Sequence, residues 1–170
     1  MNRIFFYVVI GLQVLFLVGM SISFYLMDDF GEVIRLETAQ VDPPDIFYGD
    51  YVRLQYEQER IEPEYWFGSK DMDRNEKIYV LLIPDDKGIY HVKAASDRKL
   101  AEHDDGIVVT AKYQYKDWNG NHRVSYGMNR YYIEENTGEQ YGDMSQRYIV
   151  QAVVAPWGQK KIVSLEPIEE

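Results

Sequence analysis

Residues 4–27 contain no charged side chain, and this run of 24 mostly apolar positions constrains the fold more than any other feature of the sequence. A helix rises about 1.5 Å per residue, so the run is about 36 Å long, whereas the hydrocarbon core of a bilayer is about 30 Å thick. The sequence therefore predicts an N-terminal membrane anchor in residues 1–29, followed by a separate domain in residues 30–170.

Two alternatives are open for this segment, a signal anchor that is retained and a signal peptide that is cleaved. A cleaved peptide has an apolar region of about 7–15 residues before a small-x-small site. Residues 21–23 fit that pattern, but apolar residues continue to Met27, which favours retention. Arg3 precedes the segment and Asp28 and Asp29 follow it, so the positive-inside rule favours a cytoplasmic N-terminus and an extracytoplasmic domain.

Charge and cysteine content exclude several classes of function. The chain has a formal net charge of −10, and residues 30–170 carry 17 basic and 26 acidic side chains. An acidic surface repels phosphate backbones, so we expect no nucleic-acid partner. The chain has no cysteine, which excludes disulfides, thiolate nucleophiles and cysteine-ligated zinc.

After the apolar run, the dominant hydrophobic period is two, as in half-buried strands. In residues 107–116, alternate positions from Ile107 to Tyr115 are expected to face the core, and Asn119-Gly120 predicts a type I′ hairpin turn. Further hairpins are predicted at residues 77–95 and 147–167. The sequence thus predicts a mainly β fold, with about eight antiparallel strands that form either a sandwich or a small barrel.

Potential metal and catalytic sites are weakly indicated. Asp71, Asp73 and Asn75 have the spacing of a calcium loop, but Glu76 and Leu82 replace the required glycine and carboxylate. The three histidines lack the spacing of a metal site and are expected on the surface. No serine lies in a Gly-x-Ser-x-Gly elbow, and no cofactor is indicated.

The segment "GDYVRLQY", residues 49–56, carries the strongest resemblance to known proteins. It fits Gly-Asp-Tyr-x-x-Leu-x-Tyr at every fixed position, and the upstream "VDPPD" supplies the Asp-Pro step that typically precedes this motif. The chain thus resembles the GDYXXLXY family of uncharacterised bacterial proteins. The resemblance implies a membrane-anchored protein, often found beside multi-spanning membrane proteins, with no agreed activity.

A second block, "YGMNRYYIEENTGEQY" at residues 126–141, resembles the family's aromatic strand and the Glu-Gly-x-Gly turn that follows it. Glu135 and Gly138 match that turn. The chain departs from the family with Asn136 where the first glycine is expected and with Gly142 where a closing Glu is expected. Because Asn tolerates positive φ, the turn can still form.

The physical chemistry of the first motif predicts mainly a structural role. Pro44 and Gly49 are expected to shape an extended approach and a tight turn, and Leu54 and Tyr56 share one strand face, expected to be the core. Three residues are not explained by packing and are predicted to form a binding or docking surface: Asp50, Tyr51 and Arg53.

Together these features predict a bacterial single-pass membrane protein that acts as a non-catalytic binding or accessory subunit of a membrane complex, with a membrane protein as its partner. One alternative is a cell-envelope hydrolase with a deep cleft that contains Asp50. Another is a glycan-binding module in which Trp66, Trp118 and Trp157 are exposed and stack on sugar rings.

Overall fold

A computed structural model describes residues 3–39, 51–101, 103, 105–132 and 147–168 of the chain. In these ranges, one α-helix precedes ten strands. The helix is α1 (Arg3–Phe30), and the strands are β1 (Glu32–Glu37), β2 (Tyr51–Arg53), β3 (Arg60–Ile61), β4 (Lys77–Pro84), β5 (Tyr90–Ser96), β6 (Ile107–Lys116), β7 (His122–Ser125), β8 (Arg130–Tyr132), β9 (Tyr148–Val154) and β10 (Lys160–Pro167).

The helix α1 contains the predicted membrane anchor. Its side chains are exposed along nearly the whole length, as expected for a segment whose natural surroundings are apolar. It is long and apolar enough to cross a membrane, a property that signal sequences near an N-terminus share. Met27 is the exception to the exposure, with 1% of its surface accessible, because it packs against the β domain.

The strands form three antiparallel sheets that enclose one core in a nearly closed, barrel-like arrangement. The largest sheet has the order β3-β7-β6-β4-β5, the second has the order β1-β9-β10, and β2 pairs with β8. A bridge between Thr38 and Tyr56 joins the second and third sheets. The prediction of a mainly β, antiparallel fold is confirmed. Of the two predicted alternatives, a sandwich and a small barrel, the structure has the barrel-like form.

The core receives alternate side chains from all three sheets, as the period-two pattern predicts. Fully buried members include Ile34 and Leu36 of β1, Val52 of β2, Ile78, Val80 and Leu82 of β4, Val109 of β6, and Val150 and Ala152 of β9. Because these residues come from both halves of the domain, the core depends on contacts between segments far apart in sequence.

The described residues contain ten strands rather than the predicted eight, because β3 and β8 contain two and three residues, too few to show a period. In the motif segment, the strand ladder covers only residues 51–53. Pro63–Tyr65 forms a 3₁₀ turn.

The three predicted hairpins are confirmed, but the turn at Asn119-Gly120 is not type I′. Gly120 has φ +88°, whereas Asn75 is the one non-glycine residue with positive φ in the described part of the chain. The Asp117 carboxylate accepts hydrogen bonds from the amides of Asn119 and Asn121, each at 2.9 Å. These bonds stabilise a three-residue loop with a left-handed glycine, a form that hairpins commonly adopt.

One predicted core residue in β6 lies outside the core. Tyr115 is 58% exposed because the pairing of β6 with β7 shifts between Tyr113 and Tyr115. Such a bulge adds one residue to the strand and reverses the direction of the side chains beyond it.

The junction between α1 and the sheet is tightly packed. Gly31 is the one residue between α1 and β1, and its amide donates to the Met27 carbonyl oxygen at 2.9 Å. A Cβ atom on Gly31 would overlap both that oxygen and the Val153 side chain. Met27 lies with Val153 and Ala155 in a small second core. The end of the helix is thus part of the domain's packing.

We expect Gly31→Ala to separate α1 from β9 and to lower the free energy of unfolding by about 1–3 kcal/mol, the usual effect of adding a methyl group to a packed site. Gly11→Ala is the matched control, since nothing lies within 4 Å of a Cβ at that position. Chemical denaturation of both variants in detergent measures the effect. Equal stabilities would contradict the packing described for the junction.

Candidate functional site

The segment that follows Gly49-Asp50 lies in β2, and its partner strand β8 belongs to the second block that resembles the family. Tyr51, Val52 and Arg53 pair with Tyr132, Tyr131 and Arg130 of β8, and the Leu54 amide donates to the Asn129 carbonyl oxygen at 3.0 Å. The structure therefore brings together two blocks that are about 75 residues apart and that the sequence marked separately.

Leu54 and Tyr56 are each 1% exposed and belong to the core. The Tyr56 hydroxyl donates to the Met128 carbonyl oxygen at 2.6 Å, and the Tyr56 ring lies 6.4 Å from that of Tyr126 in an edge-on arrangement. Burial, and secondarily the charge of Glu59, raise the pKa of the Tyr56 hydroxyl well above its ordinary value. This tyrosine is thus a neutral hydrogen-bond donor inside the core.

Tyr51 does not lie where the sequence placed it. It was expected on the outer strand face with Arg53, but it is 6% exposed. Its ring lies 6.1 Å from the ring of Tyr132 and 5.2 Å from the Arg130 guanidinium, so neighbours on β8 cover it. Because Val52 is buried as well, this short strand is covered on both faces. Arg53 is exposed.

Five of the residues singled out in the sequence lie outside the described part of the chain: Pro44, Gly49, Asp50, Glu135 and Gly138. The predicted hydrolase cleft with Asp50 falls on the same segments.

A half-buried carboxyl group next to the motif was missed by the sequence analysis. Glu59 accepts a hydrogen bond from the Tyr126 amide at 3.1 Å. Burial raises the pKa of this carboxyl from 4.5 to about 7, and hydrogen bonds, that of Tyr126 first, together with the charge of Arg123, oppose the shift. Nothing in "YEQERIE" distinguishes Glu59 from Glu57 or Glu62, because only the tertiary fold covers it.

All three histidines were predicted to lie on the surface, and two of them do. His91 is exposed and lies 3.1 Å from the Asp85 carboxylate, and His103 is exposed too. His122 is 3% exposed and stacks on Trp66 with 4.0 Å between the ring centroids, so the surface prediction is wrong for this residue. In the described ranges, no group of three His, Asp or Glu side chains could hold a metal ion.

The three tryptophans occupy different surroundings. Trp66 is half-buried against His122 and Tyr113, so its ring is not the exposed platform that the glycan-binding alternative requires. Trp118 is fully exposed in the turn between β6 and β7. Trp157 is 46% exposed in the turn between β9 and β10, beside the end of α1.

A cleft of about 1120 Å³ lies beside the end of α1. The outward-facing residues Tyr79, Val108 and Thr110 of β4 and β6 lie along it. The helix end contributes Phe30 and Glu32, the β9–β10 turn contributes Pro156, Trp157 and Gly158, and the remaining border comes from Lys77, Tyr90 and described residues between Lys99 and Ile107. We call this surface the membrane-proximal cleft, because it lies beside α1, the helix that is long and apolar enough to cross a membrane.

Charged and aromatic groups are mixed along this cleft. The Tyr90 hydroxyl donates to the Glu32 carboxylate at 3.4 Å, and burial followed by the charge of Glu32 raises the pKa of the tyrosine. The Lys77 ammonium lies 5.1 Å from the Tyr79 ring centroid. Cations, carboxylates and hydroxyls therefore face the same space, which suits a polar ligand with several hydrogen-bonding groups.

Sequence comparison adds one positive finding. The model of the family described as GDYXXLXY protein matches residues 13–165, which include the second half of α1 and almost all of the β domain. No curated protein and no solved structure matches the chain.

Glu59 predicts a specific pH dependence of stability. Its pKa is raised in the folded state, so its stabilising contribution is present below about pH 4.5 and is lost as the pH rises through about 7. We expect Glu59→Gln to remove on the order of 2–3 kcal/mol of the stability loss between pH 5 and pH 8. Urea denaturation at several pH values measures this change.

Two comparisons make the experiment specific. The pKa of His122 is lowered, chiefly by burial, so its contribution to the pH dependence of stability has the opposite sign to that of Glu59. His122 is present in both the wild-type protein and the Glu59→Gln variant, so this contribution does not affect the difference between them. The exposed neighbour Glu57 provides the control variant Glu57→Gln. If the two variants had the same pH dependence, the burial of the Glu59 carboxyl would be refuted.

Proposed function

The chain belongs to the GDYXXLXY protein family, and from that premise we propose that it is a single-pass membrane protein whose extracytoplasmic β domain binds a membrane-protein partner without catalysing a reaction. The observation that carries the proposal is the position of the membrane-proximal cleft. The last residue of the apolar helix, Phe30, lines the cleft directly, so a ligand in the cleft lies beside the membrane surface.

Contacts between α1 and the domain support retention of the helix as an anchor. The Ser23 hydroxyl donates to the Gln159 side-chain oxygen at 2.9 Å, and the Lys161 ammonium lies 2.5 Å from the Asp28 carboxylate. Met27 is buried between these two contacts along the helix. Cleavage near residues 21–23 would cut the chain within this contact region, whereas a retained anchor uses all of it.

The family match supports the same reading, because it begins at residue 13, inside α1. The shared unit of the family thus includes helix and domain together. In our proposal Arg3 marks the cytoplasmic side of a bacterial cell membrane, and the domain faces outward.

The mixed lining of the cleft supports a polypeptide as the ligand. Lysines, carboxylates and tyrosine hydroxyls can hydrogen-bond the exposed backbone of a partner's loop, while the aromatic side chains pack against its apolar groups. A loop of a neighbouring membrane protein can reach this position without leaving the membrane surface.

The motif strand provides a further proposed docking contact at Asp50 and Arg53. Arg53 and Arg130 are directly opposite each other on β2 and β8, and both are exposed. Like charges in this arrangement destabilise a strand pair, so an acidic group on a partner would be stabilising here. The Arg130 guanidinium lies over the Tyr51 ring, which would hold the Arg130 side chain in position for this contact.

Site-specific crosslinking in native membranes tests the proposal, and the chain favours it because no cysteine has to be removed. We expect a thiol-linked photocrosslinker on Lys77→Cys, in the cleft, to capture a membrane protein at native expression levels. The adduct should be one discrete band that mass spectrometry identifies.

Lys116→Cys is the matched control, because Lys116 is also exposed but does not line the cleft. An Arg53→Cys probe tests the motif surface in the same way. The binding proposal would be refuted if all three probes reacted fully and none gave a discrete adduct. An adduct from Arg53→Cys alone would move the partner contact from the cleft to the motif strand.

A further inference from the structure

We propose that the β9–β10 turn, residues 156–159, is a second membrane contact and that Trp157 inserts into the interfacial layer of phospholipid headgroups. This inference rests on the proposed retention of α1 as a membrane anchor. It adds a lipid-binding surface to the partner-binding cleft.

A hydrogen bond between Ser23 and Gln159 fixes the position of the β9–β10 turn along the helix axis. The Gln159 side-chain oxygen accepts from the Ser23 hydroxyl at 2.9 Å. Ser23 is 19 positions beyond Ile4, the first residue of the uncharged run, and is therefore about 29 Å further along the helix axis. The hydrocarbon core is about 30 Å thick, so Ser23 lies at the border between acyl chains and headgroups.

Trp157 forms a hydrogen bond with the same side-chain oxygen of Gln159. Its indole nitrogen donates to the Gln159 side-chain oxygen at 2.7 Å, while the side chain keeps 46% of its surface exposed. An indole has a large apolar ring and one polar N–H group, and tryptophans are enriched at membrane interfaces for this reason. A water-exposed ring at this level would be less stable than one in contact with lipid.

The surroundings of the turn are suited to lipid rather than to water. Exposed aromatic side chains of the helix lie within one to two turns of Ser23: Phe24, Tyr25 and Phe30. The Lys161 ammonium lies 4.8 Å from the Phe24 ring centroid and pairs with Asp28, so its aliphatic stem follows the apolar helix surface while its charge points away from the hydrocarbon core.

Continuity with the helix surface identifies the bilayer as the occupant. Phe24 and Tyr25 belong to the segment that must face lipid if α1 spans the membrane, and Trp157 extends this aromatic surface onto the β domain. Two attachment points, the helix and the turn, would limit rotation of the domain about the helix axis. The membrane-proximal cleft, which Trp157 also lines, would then open at a fixed angle to the membrane.

Fluorescence quenching by brominated lipid tests this inference. Full-length protein is reconstituted into phosphatidylcholine vesicles with and without bromine on the upper part of the acyl chains. We expect brominated lipid to quench the wild-type protein and the Trp118→Phe variant, and we expect Trp157→Phe to lose this quenching. Trp66 adds a constant background, because it is stacked against His122 inside the domain.

A spin label on Pro156→Cys gives an independent measurement that keeps Trp157 in place. We expect this label to collide more often with oxygen, which concentrates in lipid, than with a water-soluble nickel complex. A label on Trp118→Cys, in an exposed turn with no contact to α1, should show the reverse preference.

The outcomes separate this inference from the proposed function. If the protein floats with the vesicles but Trp157→Phe is quenched like the wild-type protein, the turn does not contact lipid and the inference is refuted. The same holds if the two spin labels behave alike. If the protein does not float with the vesicles at all, the proposed anchor fails, and this inference fails with it.

Discussion

The absence of a side chain at residue 31 is the constraint on which the rest of the structure depends. Gly31 lets the Met27 carbonyl group, the Val153 side chain and the start of β1 share a space that a Cβ atom would fill. The helix can therefore pass into the sheet with one residue between them. A flexible linker would leave the domain free to rotate relative to the helix, whereas this junction fixes the helix against β9 and the β9–β10 turn against the helix.

The unusual composition of the family motif suggests a chemical site, but the described part of the motif serves packing. Its described part is a strand whose side chains meet the second aromatic block across β2 and β8, and both Leu54 and Tyr56 are inside the core. Tyr56 and Tyr126 are buried hydroxyl groups with partners on the backbone, which gives a core specificity that apolar packing alone lacks. The signature thus marks how the domain closes, and the membrane-proximal cleft lies elsewhere.

Local patterns were sufficient to predict much of the fold. The hairpins at residues 77–95, 107–125 and 147–167 follow from alternation and a glycine in each turn, since both signals act between neighbours in sequence. Residues that depend on distant segments were not predictable. Tyr51 is covered by β8, Glu59 by residues near Tyr126, and Tyr115 is displaced by a bulge. The cleft, too, is built from the helix end, described residues of the range 99–107 and the β9–β10 turn, and no sequence window contains all three.

The central claim is that α1 and the β domain form one rigid unit, and a pair of cysteines tests it most directly. Ser23→Cys and Gln159→Cys are combined in the full-length protein and treated with a short bifunctional thiol reagent in native membranes. The structure predicts an efficient intramolecular crosslink between α1 and the β9–β10 turn, and no crosslink when Ser23→Cys is combined with Trp118→Cys. If both thiols reacted with a monofunctional reagent but the first pair did not crosslink, the helix and the domain would move independently and the account would be wrong.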